Sequence, residues 1–170
     1  MLGLDNTLVN IVPHDPEWNL EYEKEAERLK QLLGDYALDI QHVGSTSIPE
    51  IEAKPIIDIA VAVKDIETLY TLIPILEKAG YNVKNSIVES QRLLAIKGAP
   101  KNRTHYIHLE VKDGEYWKNH ILFRDYLIKH PELAKEYEKI KINAYKLFKD
   151  DRIKYSDSKN SFIRKVVNQA

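Results

Sequence analysis

The residues of this 170-residue chain whose types could do chemistry fall in two short segments. The first is His42-Val43-Gly44-Ser45-Thr46-Ser47, with Asp58 thirteen residues after Ser45. A Gly-Ser turn offers backbone amides and a hydroxyl to a phosphate. Asp58 lies within Pro55–Val63, a nearly unbroken apolar and β-branched run that reads as a strand buried on both faces. An ionised carboxylate in such a strand costs several kcal/mol unless it is paired, hydrogen-bonded or bound to a cation. Asp58 therefore either holds Mg²⁺ against phosphates seated on the turn, or is a structural carboxylate bonded to local amides or to Lys54.

The second segment is Arg103-Thr104-His105-Tyr106-Ile107-His108-Leu109-Glu110. The two-residue period of a strand puts Thr104, Tyr106, His108 and Glu110 on one face and His105 on the other. If this strand lies beside the Asp58 strand, a carboxylate–imidazole–carboxylate group results, able to hold a divalent metal or move a proton. Otherwise His108 and Glu110 face solvent on a half-exposed sheet. Arg124 and the stretch Lys159–Lys165 supply cations that could meet phosphates or simply decorate helices. Trp18, Trp117, Tyr126 and Tyr137 read as packing residues. His14, His120 and His130 lack metal-ligand spacing and receive no role. G-x-S-x-G, G-x-x-x-x-G-K-[ST], G-x-G-x-x-G and H-E-x-x-H are all absent.

The elements that must position these residues follow from periodicity and breakers. Asp15-Pro16-Glu17-Trp18 starts a helix running to Gly34. Leu20, Ala26, Leu29, Leu32 and Leu33 form its apolar stripe, and the charge run EYEKEAERLK its solvated face. Strands are expected at 37–43, 55–63, 81–88, 91–97 and 105–111, with a helix from the Asp65 cap to about Ala79, stopped by Gly80. Helices at 116–129, 131–149 and 158–167 complete the chain, divided by His130-Pro131 and by the polar stretch 150–157. This order predicts an α+β fold, a mixed sheet covered by helices with a helical C-terminal third, in one domain spanning 1–170.

Composition narrows the function classes. A formal net charge of −1 provides no global field for gripping nucleic acid, so general DNA or RNA binding is not expected. With no cysteine there can be neither disulfides nor thiolate zinc sites, which favours the cytoplasm. No apolar stretch approaches the ~18 residues of a membrane span, and the N-terminus lacks a basic segment before an apolar run. A secreted or membrane-spanning protein is not expected.

The collinear series His42–Pro49, Ala53–Ile59, Arg103-Thr104-His105-x-x-His108, Phe123-Arg124-Asp125-Tyr126-Leu127-x-x-His130-Pro131-Glu132 and Tyr155–Ile163 closely resembles the GrpB family across nearly the whole chain. The resemblance implies a nucleotidyltransferase-like core of the DNA-polymerase-β type, and domains related to this family occur fused to dephospho-CoA kinase. Mapped residue by residue, it implies Gly44 and Ser45 beside the phosphates, Asp58 as the first metal carboxylate and Glu110 as a later-strand carboxylate. Ala60 stands where a second carboxylate would be. His108 would assist as ligand or base, and Lys54, Arg103 or Lys159 would neutralise phosphate charge. The function implied is a nucleotide-binding protein, with Mg²⁺-dependent nucleotidyl transfer to a small-molecule acceptor as its catalytic form. A non-catalytic nucleotide or CoA-related sensor, or an interaction module without a ligand, stand as alternatives.

Overall fold

The computed structural model describes residues 1–170. The first helix, α1 (Glu17–Leu33), begins where Asp15 accepts the Glu17 amide at 3.0 Å and ends at Gly34, whose φ is +54°. Its inward stripe is set by Trp18, Tyr22, Glu25, Leu29 and Leu33, at helical spacings of three and four. Leu20, expected on that stripe, is half exposed, and Glu25, expected in the solvated run, is buried. Glu25 is tolerated there because the Tyr81 hydroxyl and the Lys97 ammonium both donate to its carboxylate.

Five strands follow: β1 (Asp39–Val43), β2 (Ile57–Val63), β3 (Asn82–Ser86), β4 (Arg92–Ala99) and β5 (Asn102–Val111). They form one mixed sheet in the order β1-β2-β5-β4-β3, with β2 and β5 parallel and the other neighbours antiparallel. Between β2 and β3 runs α2 (Ile66–Lys78), capped by Asp65, which accepts the Thr68 amide at 2.9 Å. The end of the expected strand 81–88 instead forms a one-turn helix, α3 (Ile87–Ser90). The hairpin between β4 and β5 is tighter than expected, since both strands run into the Pro100-Lys101 turn.

Alternation along the central strands sends Ile57, Ile59, Val61, Val63, Ile107 and Leu109 to one face, where they pack on Leu29 and Leu33 of α1 and Leu69, Leu72 and Leu76 of α2. Each such side chain contributes about 1.5–3 kcal/mol on burial. The other face is covered by the C-terminal helices α4 (Glu115–Lys129), α5 (Pro131–Phe148) and α6 (Arg152–Gln169). Here the strands present small residues: Ala60 and Ala62 meet Trp117 of α4. A second core of Ile48, Ile51, Phe123, Leu127, Tyr137, Phe162 and Val166 ties the three helices together. The polar stretch from Asp150 is not a linker, for Asp151 caps α6 by accepting the Lys154 amide at 3.0 Å and helix runs from Arg152 onward. No helix is long and apolar enough to cross a membrane.

Candidate functional site

The site is built on the alanine-rich face of the sheet. Asp58, Ala60 and Ala62 of β2 stand opposite Tyr106, His108 and Glu110 of β5, all on that face. His108 is the diagonal neighbour of Asp58, a separation that a ring can bridge. The small Ala60 side chain leaves it room, and His108 Nε2 lies 2.9 Å from Asp58 Oδ1.

The Gly-Ser turn closes on the same carboxylate. Val43, the last residue of β1, pairs with Asp58, and Gly44 follows with φ +72°. A Cβ on Gly44 would stand 2.6 Å from Asp58 Oδ2, so glycine is required both by the backbone angle and by the close approach of the carboxylate. Ser45–Ser47 then form a 3₁₀ turn. His42 braces this turn from beneath: its Nε2 is 2.9 Å from Thr46 Oγ1, and its ring stacks on Tyr22. Burial pushes the His42 imidazole down to about 4, so it is neutral at physiological pH. Arg124 also serves the turn's support, donating to the His42 carbonyl, Gln41 and Asp125 rather than facing a ligand.

Between this face and α4–α6 lies a cavity of about 450 Å³, within the range of small-molecule sites. Three lysines enter it from three elements: Lys54 ahead of β2, Lys141 from α5 and Lys159 from α6. None of them forms a salt bridge. Lys54 and Lys159 instead lie over the Tyr155 ring at 5.3 and 4.9 Å, and Lys141 lies over Tyr137 at 4.9 Å while donating to the Glu52 carbonyl. Burial, reinforced by repulsion from Lys159, lowers Lys54 to about 8 and Lys141 to about 7. Burial also lowers Lys159. Asp58 is the one carboxylate in the lining. Burial raises its pKa, but the His108 hydrogen bond and the charges of His108 and Lys54 outweigh this and keep it below the usual carboxylate range. Tyr137 is raised to about 12 by burial, and the buried Tyr155 hydroxyl has no hydrogen-bond partner.

The fold thus brings together Gly44, Ser45, Lys54, Asp58, His108 and Lys159 of the residues expected from the sequence. It does not bring Arg103, which is absent from the cavity wall, lies beyond a register shift at Lys97–Gly98 and pairs through its backbone with Leu4. Glu110 is also separated from Asp58. The two stand four register positions apart, roughly 13 Å along the strands at ~3.3 Å per residue, with His108 between them. The carboxylate of Glu110 meets His120 of α4 instead, at 3.1 Å.

Lys141 and His120 were not expected at the site. Lys141 had a legible signal, because Ala134, Tyr137, Lys141 and Ala144 share one helical stripe of α5, so a lysine occupies a buried position. His120 had none in local spacing, since its neighbours His108 and Glu110 come from a strand.

Donor chemistry also bears on magnesium. A pair of hard cations needs several carboxylate oxygens, whereas the cavity offers one carboxylate and three ammonium groups, and the residue two beyond Asp58 on the same face is Ala60. The residues do not fit a two-magnesium centre.

The GrpB protein family model matches residues 8–169. The chain is 35% identical to the glutamate-rich protein GrpB of Alkalihalophilus pseudofirmus, over 99% of both chains. A crystal structure of conserved protein GrpB from Enterococcus faecalis superposes with a TM-score of 0.86 at 35% identity, covering 94% of this chain and 96% of that one. A more distant similarity, 27% identity, joins 95% of this chain to 46% of a dephospho-CoA kinase of Mycolicibacterium paratuberculosis. The mixed five-stranded α+β architecture and its collinear motifs are therefore those of a known family, and this chain belongs to the GrpB family.

Proposed function

We propose that this protein binds a nucleotide, or another small molecule carrying several phosphates, in the cavity between the sheet and its C-terminal helices. The observation that carries this reading is the convergence of Lys54, Lys141 and Lys159 on one cavity without a salt bridge. Lys141 is buried and Lys54 and Lys159 are partly buried; desolvated ammonium groups are costly unless paired, and a polyphosphate supplies the charge they lack. Gly44 and Ser45 lie at the same wall, where a backbone turn can add amide donors. Tyr106, Tyr116 and Phe123 give the cavity an apolar side for a base or similar group.

The catalytic form of this reading, nucleotidyl transfer to a small-molecule acceptor in a nucleotidyltransferase-like fold, is favoured by Asp58 on the strand that follows the Gly-Ser turn. Magnesium enters it as the counter-ion that a nucleoside triphosphate brings, with Asp58 as the residue to meet it. The lysines then carry the charge neutralisation that a second ion supplies elsewhere.

Thermal denaturation with the four nucleoside triphosphates, inorganic tripolyphosphate and CoA precursors, with and without Mg²⁺, tests the proposal. A ligand at about 100 times its Kd adds ~2.7 kcal/mol, which for a domain of this size raises Tm by roughly 5–10 °C. A rise that is lost in Lys159→Met supports the site. No rise with any phosphorylated compound refutes it, and pyrophosphate release then measures transfer only for a ligand that binds.

A further inference from the structure

At the far end of the site face sits a cluster that phosphate binding leaves unused. Glu110 is 1% exposed, yet no lysine or arginine pairs with it. Arg92, its register partner on β4, lays its guanidinium over the Tyr116 ring instead, 4.1 Å from the centroid. The one group that meets Glu110 is His120, with Nδ1 3.1 Å from Oε1 and 3.2 Å from Oε2, and Oε1 has no hydrogen-bond partner. A buried carboxylate oxygen left without a donor is costly, and such groups call for a specific cause.

His108 completes the cluster. Its ring centre is 5.0 Å from that of His120, and one ligand atom from each of His108, Glu110 and His120 lies within 4.8 Å of the others. Donor atoms bound to one ion at ~2.0–2.2 Å stand roughly 3.0–3.5 Å apart, which is the separation His120 and Glu110 already have. With Nε2 donating to Asp58 Oδ1, the neutral form of His108 carries its lone pair on Nδ1, the carboxylate–histidine–metal arrangement that orients metal-binding imidazoles. Two imidazoles and one carboxylate suit zinc and similar first-row ions, whereas magnesium prefers oxygen donors alone. His108 and His120 are 19% and 27% exposed and both line the phosphate cavity, which gives an ion a route in and an open coordination side.

We propose that His108, Glu110 and His120 form a binding site for one divalent transition-metal ion of the zinc type, with Asp58 as the positioning residue for His108. The site does not depend on the phosphate reading, because it is complete without a nucleotide.

The test uses tag-free full-length chain, stripped with chelator and free of nucleotide. It is titrated with Zn²⁺ by calorimetry and with Co²⁺ by its visible absorption. The expected result is one equivalent bound, not displaced by millimolar Mg²⁺. Affinity should fall at least tenfold in His120→Ala and in Glu110→Gln, and about tenfold in Asp58→Asn, in the range of outer-sphere carboxylate losses. His120 is partly exposed on a helix surface, so His120→Ala keeps the test open if Glu110→Gln fails to fold. Substoichiometric uptake by the wild type, or uptake unchanged in His120→Ala, overturns the proposal. Zinc binding by a chain that ignores every phosphate compound would leave this site standing and remove the nucleotide reading; the converse would do the opposite.

Discussion

Replacing Lys141 with methionine should make the protein more stable and a poorer binder of phosphates. Lys141 is 1% exposed and its ammonium titrates near 7, against an ordinary value of 10.5. Between those pH values the unfolded chain holds a proton at this position that the folded chain lacks. Wild-type stability therefore rises with pH across the window, and the deficit is fully present at pH 7 and below. Its upper bound is roughly 5 kcal/mol, from about 1.4 kcal/mol per pH unit. Apolar replacements of buried charges recover a smaller share, about 1–4 kcal/mol. Losing the donor to the Glu52 carbonyl takes back ~1 kcal/mol, leaving a net gain of up to about 3 kcal/mol and a Tm rise of up to roughly 10 °C. The same change removes a charge-assisted contact to phosphate, worth about 1.5–3 kcal/mol or roughly 10–150-fold in Kd. Thermal melts of both proteins from pH 6 to pH 10, with tripolyphosphate titrations at neutral pH, read both effects. The stability advantage should be largest at pH 7 and below and vanish towards pH 10. A variant that melts lower at every pH, with unchanged phosphate affinity, would show that Lys141 is a structural tether and refute the reasoning.

Three further outcomes follow from the same geometry. Gly44→Ala places a methyl 2.6 Å from Asp58 Oδ2 at a backbone angle of +72°; it should cost on the order of 1–3 kcal/mol by thermal melt and abolish ligand-induced stabilisation. Asp58→Asn should keep Mg²⁺-free tripolyphosphate binding, because the lysines carry it, while removing any increment that Mg²⁺ adds; calorimetry with and without Mg²⁺ separates the two. Because Lys54 and Lys141 titrate near 8 and 7, phosphate affinity should fall as pH rises from 6 to 9, and binding near pH 8 should take up protons. Calorimetry in buffers of different ionisation enthalpy measures that uptake, and an affinity flat with pH would contradict it.

Much of the sheet was legible because its strands carry local signals. The run Ile57–Val63 is buried on both faces and reads as a strand without context, and the two-residue period of β5 placed Tyr106, His108 and Glu110 correctly on one face. Breakers fixed α2 and the start of α5, where Asp65, Gly80 and Pro131 act through the backbone. What local pattern could not give was tertiary. Glu25 looked solvated because its partners Tyr81 and Lys97 lie far along the chain. The start of α6 was missed because its exposed face is polar from Lys154 to Asp157 and only Tyr155 points inward. At the site, spacing named Asp58 and His108 but could not set the register that bonds them, nor could it bring His120 from α4 to Glu110. Arg103 lies outside the cavity wall, beyond an irregularity in the β4–β5 register at Lys97–Gly98 that strand periodicity does not reveal.

The most direct test of the central claim is a calorimetric titration of tripolyphosphate, and of each nucleoside triphosphate, into wild type and into the Lys54→Met, Lys141→Met, Lys159→Met triple variant at pH 7. Lys141 is buried and Lys54 and Lys159 are partly exposed, none in a salt bridge, so their loss should leave that variant folded with a Tm close to wild type. Saturable binding by the wild type that disappears in the folded triple variant is the predicted result. Equal affinity in both proteins, or no binding by the wild type, would contradict the assignment of this cavity to a phosphorylated ligand.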